Sequence, residues 1–395
     1  MARFARNPFR RERPVWNDET ALRLREGDPL AFHRTLEGYA PTPVRTMPRL
    51  AGELGLASLF VKDESARFGV KAFKPLGASW AIRQTLAQRW GERFGGRLPE
   101  DAFSDPSVLA RLGRMTFAAA SDGNHGRAVA WTARQLGQNA VIFMPRGTAP
   151  ARVAMIESEG ARVVVTEGTY DDCVRWIARD AEREGWVVIS DTAYPGYTVI
   201  PAWIVQGYTS IFRELEAGPF ADSEIPGVDV VLLQTGVGGL AAAGAWHLTN
   251  RYGSRRPRLV SVEPLAAACF LESVEAGDGE PHPASGALDS IMAGLDCGVP
   301  SLVAWPIVRD AFDLFLAVED RWAETAMRAA AREGIVSGES GAAGLAGLLA
   351  LCRDPALTAA REALGLGPSS RVLVINTEGD TDPEHYREVV GAVSR

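Results

Sequence analysis

The chain has 395 residues, 46% hydrophobic and 23% charged, with a formal net charge of -7. That length exceeds what one hydrophobic core usually organises, so two domains are expected. The composition is ordinary for a soluble globular protein, and the weak acidic excess argues against non-specific binding to nucleic acid.

Residues 1–13 are rich in arginine, with Arg10-Arg11-Glu12-Arg13 at their end. No apolar segment follows them, and no stretch approaches the roughly 18 apolar residues of a membrane helix. The expectation is a solvated, loosely ordered tail on a cytoplasmic protein that makes no membrane contact.

Further on, β-rich runs alternate with helix-period runs. Strands are expected at 116–120, 139–144, 163–166 and 186–190, with helices over 127–136, 151–159 and 171–184 between them. Such βαβ units build a parallel sheet. A second series follows, with strands at 228–233 and 258–262, a small-residue helix at 239–248 and a last strand at 371–375. The run at 228–233, apolar except for Asp229, suits a strand covered on both faces. The reading is two α/β domains with open, twisted, mostly parallel sheets. The smaller covers 82–200, and the larger takes 1–81 and 201–395. Residues 217–227 and 277–285 read as loops.

The four cysteines, Cys173, Cys269, Cys297 and Cys352, lie far apart without zinc spacing. Buried reduced thiols are expected, with Cys269 and Cys297 the pair that would approach one another.

Four motifs bear on chemistry. In Ala72-Phe73-Lys74-Pro75-Leu76-Gly77-Ala78-Ser79, a lysine sits where a loop enters a small-residue helix. The helix dipole disfavours its charge there, so a lowered pKa and an amine nucleophile are expected. The plain alternative is a surface lysine.

Ser121-Asp122-Gly123-Asn124-His125-Gly126 forms a glycine-punctuated loop at the carboxyl end of a strand, where open α/β sheets bind ligands. Its amides suit an anion such as a carboxylate. Asp122 would repel that anion, which points to a task with a proton or a cation; an N-cap or Asx-turn aspartate is the equal alternative.

Thr235-Gly236-Val237-Gly238-Gly239-Leu240-Ala241 follows a strand, and its glycines let backbone N–H groups close on a phosphate. Gly236-x-Gly238-x-x-Ala241 also fits a dinucleotide fingerprint, with Glu263 placed as a ribose-binding acid, so an NAD-binding domain is a rival. In Asn376-Thr377-Glu378-Gly379-Asp380-Thr381-Asp382 the acids lack calcium-loop spacing. A solvated loop is expected, with a hydroxyl or amide at the strand end as a possible partner for a ring nitrogen.

Together these motifs resemble the fold type II pyridoxal-5′-phosphate (PLP) family. Val61-Lys62-Asp63-Glu64-Ser65-x-Arg67-Phe68-Gly69, Asp191-Thr192-Ala193, Gln206-Gly207-Tyr208, 291–295 and Ser337-Gly338-Glu339-Ser340-Gly341 extend the likeness over most of the chain from about Gly38. The resemblance implies PLP as cofactor, Lys74 as its Schiff-base lysine and Phe73 flanking its ring. It implies Asn124 on the phenolic oxygen and Gly236, Val237, Gly238 and Gly239 around the phosphate. It also implies Asp122 and Asp191 as general bases for opposite enantiomers, with Ser121, Asn124 and His125 holding the substrate carboxylate.

Relatives usually place serine opposite the pyridine nitrogen. Here Asn376 or Thr377 takes that place. Hydroxy-amino-acid relatives usually carry serine or alanine where Asp122 stands. The implied activity is therefore elimination of ammonia from 2,3-diaminopropionate, by a homodimer acting on a small amino acid. A serine or threonine dehydratase or a β-replacement enzyme is the near rival. An NAD-binding protein or a catalytically silent relative is the distant one.

Overall fold

The computed structural model describes residues 1–391 apart from 104, 122, 217–219 and 221–226. Apolar, β-branched runs supply eleven strands among these residues. They are β1 (Arg3–Arg6), β2 (Val44–Thr46), β3 (Ser58–Asp63), β4 (Thr116–Ala120), β5 (Asn139–Met144) and β6 (Arg162–Val165). The rest are β7 (Val187–Val188), β8 (Val230–Gln234), β9 (Arg258–Pro264), β10 (Leu314–Val318) and β11 (Arg371–Asn376).

One sheet of seven strands has the order β1-β10-β9-β8-β11-β3-β2, and a second of four has the order β6-β5-β4-β7. Only the two edge strands of the larger sheet run antiparallel, β1 against β10 and β2 against β3. Parallel neighbours need helices on the sheet faces. Every residue of β8 and β10 is accordingly buried, and all are apolar except Gln234 at the end of β8. The α/β class expected from sequence is the observed one. The four-stranded sheet lies within 82–200, and the larger sheet draws on residues on either side of that span. Among the described residues no helix is long and apolar enough to cross a membrane.

The expectation of a solvated amino-terminal tail is corrected. Arg3–Arg6 forms edge strand β1, with Arg3 opposite Ala317 and Arg6 opposite Leu314. Ala2 and Phe4 pack into the core on one side of this strand and Ala5 on the other. Beyond it, Arg10 meets Asp313 at 2.5 Å and Arg11 lies 3.6 Å from Asp310. The arginines obscured a short alternating strand that only β10 can pair.

Helix Lys74–Phe94 crosses helix Val199–Glu216 at very short range. A Cβ on Gly207 would collide with the backbone of Leu76, and one on Gly77 would sit 2.6 Å from the Tyr208 ring. Two facing glycines thus set the depth of the helix that carries Lys74. Helix Val199–Glu216 is then locked to β3 by a dry ionic cluster. Glu214 accepts from Lys62 at 2.6 Å and from Arg67 at 2.8 Å, while Arg67 also holds Glu64 at 2.7 Å. These four side chains are at most 2% exposed. Thr42 and Tyr39 complete the hydrogen bonds to Glu214, at 3.1 and 2.9 Å.

Burial pushes the Glu214 carboxyl up, but Arg67 and Lys62 outweigh it and hold it down at about 2. Its folded value therefore lies below the ordinary 4.5. The stabilisation it supplies is complete above pH 4.5 and drains away as pH falls through about 2. Glu214→Ala leaves Glu64 alone to compensate two buried cations, and is expected to cost about 3–5 kcal/mol in urea unfolding near neutral pH. It should also flatten the acid limb of the stability curve. A variant within 1 kcal/mol of the parent, by that order-of-magnitude scale, would overturn this account.

Candidate active site

Strands of both sheets point their carboxyl ends at one cavity of about 820 Å³. Lys74 opens helix Lys74–Phe94 just after Phe73, with Pro75 in the first turn where its missing N–H costs nothing. Its Nζ lies 2.7 Å from Oδ2 of Asp191, which follows β7 of the smaller sheet. The expected lowering of the lysine pKa is corrected. Burial does pull it down, but the Asp191 carboxylate more than reverses this, and the free amine is held well above its usual range. A facing carboxylate outweighs a helix dipole, which is worth only fractions of a unit charge.

Asp191 is the mirror case. Burial raises its pKa, while Lys74 and then His125 lower it well below the carboxylate range, so it stays ionised. His125 lies on the same side, its Nδ1 3.8 Å from Asp191 and its Nε2 hydrogen-bonded to the carbonyl of Ile189 at 2.8 Å.

The loop after β4 carries Asn124 and His125 onto the cavity wall. The helix begins at Asn124, earlier than expected from the hydrophobic pattern. Ser121 is buried and not on the wall; its Oγ accepts from the N–H groups of Gly123 at 3.0 Å and Gly126 at 2.8 Å. Asp122 lies outside the described residues.

After β8, Gly236, Val237, Gly238 and Gly239 all line the cavity, and Gly239 starts helix Gly239–Tyr252. Gly238 has φ +95°, and a Cβ there would collide with the Phe270 ring. A Cβ on Gly236 would lie 2.9 Å from Sγ of Cys297. Only bare backbone fits, which leaves amides facing the cavity at a helix amino terminus. Glu263 does not serve this loop as a ribose acid. It is fully buried off the wall, accepts from Phe270 and Leu271 N–H at 2.8 Å, and is pushed up to about 8 by burial. Cys269 is a buried thiol with Sγ 3.9 Å from the Gly236 carbonyl, and Cys297 is a thiol on the wall.

At the end of β11 the alternation of side chains separates two candidates. Asn376 turns away from the cavity, donating to Asp63 at 2.9 Å and to the Val336 carbonyl at 2.8 Å, and accepting from Ser337 at 2.7 Å. Thr377 lines the cavity, its Oγ1 accepting from Gln234 at 3.0 Å.

The solvated loop expected after β11 is corrected as well, because Thr377, Glu378 and Thr381 are buried. Glu378 is a wall residue that sequence reasoning missed. Its Oε2 accepts from the Asn124 amide, and its Oε1 from the N–H groups of Ser340 at 3.1 Å and Gly341 at 3.3 Å. Burial, then the neighbouring Glu339, push it up to about 7. Tyr208 was missed too. Its ring packs at a tilt against Phe73, centroids 4.6 Å apart, and the Phe73 ring centroid in turn lies 5.4 Å from Lys74 Nζ. The signal for Glu378 was the Ser337–Gly341 motif, but its contact with residue 378 exists only in three dimensions.

A family model described as pyridoxal-phosphate dependent enzyme matches residues 35–378. The chain belongs to this family of PLP-dependent enzymes. Within it the chain belongs with the diaminopropionate ammonia-lyases. It is 39% identical to the enzyme of that name from Salmonella typhimurium over 392 residues, 97% of this chain and 96% of the relative. The crystal structure of the selenomethionine holo enzyme from Escherichia coli superposes with a TM-score of 0.85 at 39% identity, covering 99% of this chain and 97% of that one. The same E. coli enzyme in complex with D-serine also gives 0.85 at 39% identity and the same coverage.

The residues fit PLP. An amine stands on one wall, bare-backbone glycines that exclude any Cβ stand on another, and a hydroxyl from Thr377 faces the cavity between them. Gly238→Ala tests the cradle. A Cβ at positive φ costs on the order of 1 kcal/mol before the Phe270 collision is counted. The variant should bind PLP at least about tenfold more weakly by absorbance titration, and unchanged affinity would exclude the loop from phosphate binding.

Proposed function

We propose that this protein eliminates ammonia from 2,3-diaminopropionate, as the D or the L isomer, and that hydrolysis completes the conversion to pyruvate and ammonia. The observation that carries the reading is the Lys74–Asp191 contact at 2.7 Å beside the glycine cradle, in a chain of this family. Bound at Lys74, PLP supplies an electron sink that lets a proton leave Cα and a leaving group depart from Cβ.

The protein's own groups do the rest. Gly236–Gly239 amides and the following helix terminus hold the phosphate. Thr377 presents its hydroxyl to the ring nitrogen, in preference to Asn376, whose amide is consumed by Asp63 and Val336. Asn124 and His125, at the start of helix Asn124–Gln135, receive anionic oxygen, the Asn124 amide being steadied by Glu378. Ser121 acts on this loop by bracing its backbone.

Asp191, kept ionised by the cation beside it, takes the Cα proton of one enantiomer. Asp122 takes that of the other and attracts the β-ammonium, which distinguishes a diamino acid from serine. The D-serine complex of the E. coli enzyme supports a site open to D amino acids. We take the working form to be a cytoplasmic homodimer, whose mass sedimentation velocity would report.

Lys74→Ala is expected to lose the visible absorbance of the bound cofactor and all lyase activity. Borohydride-fixed cofactor persisting in that variant would refute the lysine assignment. Asp122→Asn and Asp191→Asn should each lower kcat for a different isomer by about 10²–10⁴-fold. Assays with D- and L-diaminopropionate beside D- and L-serine decide both points, since equal loss of both isomers in each variant sinks the two-base scheme. Faster turnover of serine would move the protein to the dehydratases.

A further inference from the structure

Tyr208 is 1% exposed and lines the cavity, yet its hydroxyl has no hydrogen-bond partner among the described residues. Leaving a buried hydroxyl unsatisfied costs about 1–3 kcal/mol, so such a group in a ligand cavity calls for an acceptor that arrives with the ligand.

The surroundings say which kind of acceptor. The ring is wedged between the first turns of two helices. A Cβ on Gly77 would lie 2.8 Å from Tyr208 Cζ, and one on Gly239 would lie 3.4 Å from Cε2. Gly77 belongs to the first turn of helix Lys74–Phe94, and Gly239 is the first residue of helix Gly239–Tyr252. Two amino termini, each carrying the partial positive charge of a helix start, therefore flank the phenol. The cation of Lys74 adds to the same field, and Asp191, the anion that acts on the phenol among the described residues, is already paired with Lys74. A neutral O–H donor at such a place suits an oxyanion. Gly239 closes the loop that cradles the phosphate, which puts that group within the phenol's neighbourhood.

From this geometry we infer that Tyr208 is a cofactor-binding residue whose hydroxyl donates a hydrogen bond to the phosphate of PLP. Its ring meanwhile backs Phe73 beside Lys74. This rests on the reading of the site given under Proposed function. The hydroxyl makes no hydrogen bond to the described residues, so its removal is expected to leave folding unchanged and to be felt only when the phosphate is present.

Tyr208→Phe tests this cleanly, since it keeps the ring and removes one oxygen. The holoenzyme of parent and variant would be resolved, then retitrated by visible absorbance with PLP and, separately, with pyridoxal, which lacks the phosphate. The variant is expected to bind PLP about 10- to 100-fold more weakly, the worth of a hydrogen bond to a charged group. Its affinity for pyridoxal should be unchanged. The 31P resonance of bound cofactor should shift, and thermal unfolding without PLP should match the parent. Equal affinity of parent and variant for PLP, or equal weakening toward PLP and pyridoxal, would overturn the assignment. A parent chain that takes up no PLP would instead bring down the functional reading itself.

Discussion

The contact between Lys74 and Asp191 is the interaction on which the site depends. The two residues are 117 positions apart, Lys74 opening a helix that comes after β3 of the larger sheet and Asp191 following β7 of the smaller one. Each is largely shielded from water, and burial disfavours the ionised form of both. Held at 2.7 Å they compensate one another. A buried pair of this kind does little for net stability, but it fixes geometry, since breaking it leaves an uncompensated charge in place. The carboxylate is thereby kept ionised and the amine is held at one spot on the wall.

That spot is set from behind by packing rather than by polar contacts. Glycines at 77 and 207 let two long helices approach until backbone meets backbone. The ionic cluster around Glu214 then ties the second helix to β3. The lysine helix can neither slide nor lift without opening a void or exposing paired charges. The same two helices clamp Tyr208 and Phe73, so the apolar backing of the cavity and the position of the amine share one mechanical origin.

Around this frame each acceptor and donor has a distinct direction. The glycine loop offers amides at a helix terminus. The loop after β4 offers a second terminus, with its internal turn braced by Ser121. Glu378 reaches across from the larger sheet to the Asn124 amide, joining the two halves of the cavity. Burial and the proximity of Glu339 bring its proton affinity near neutrality, which is unusual for a carboxyl and follows from placing two acids in one enclosed wall.

Much of the fold was legible in sequence because its signals are local. Apolar runs in β8 and β11 mark strands covered on both faces, and glycine at 236 and 238 marks backbone where no side chain fits. Lys74 ahead of a small-residue helix was legible as an amine with a task. What sequence could not decide were matters of direction and distance.

The dinucleotide reading of the glycine loop survives any inspection of the motif alone, and falls only when Glu263 is seen capping Phe270 and Leu271 inside the core. Asn376 and Thr377 are equivalent on paper; strand alternation together with Asp63 turns one inward and the other to the cavity. The lysine's proton affinity was misjudged because the helix dipole is written in the local sequence and the opposing carboxylate is not. An alternating Arg-Phe-Ala-Arg at the amino terminus becomes a strand only because β10 presents an open edge. Local pattern determined the elements and the types of group available for chemistry. Long-range packing, which brings together residues more than a hundred positions apart in a low-dielectric cavity, decided which of those groups face one another and in what state of charge.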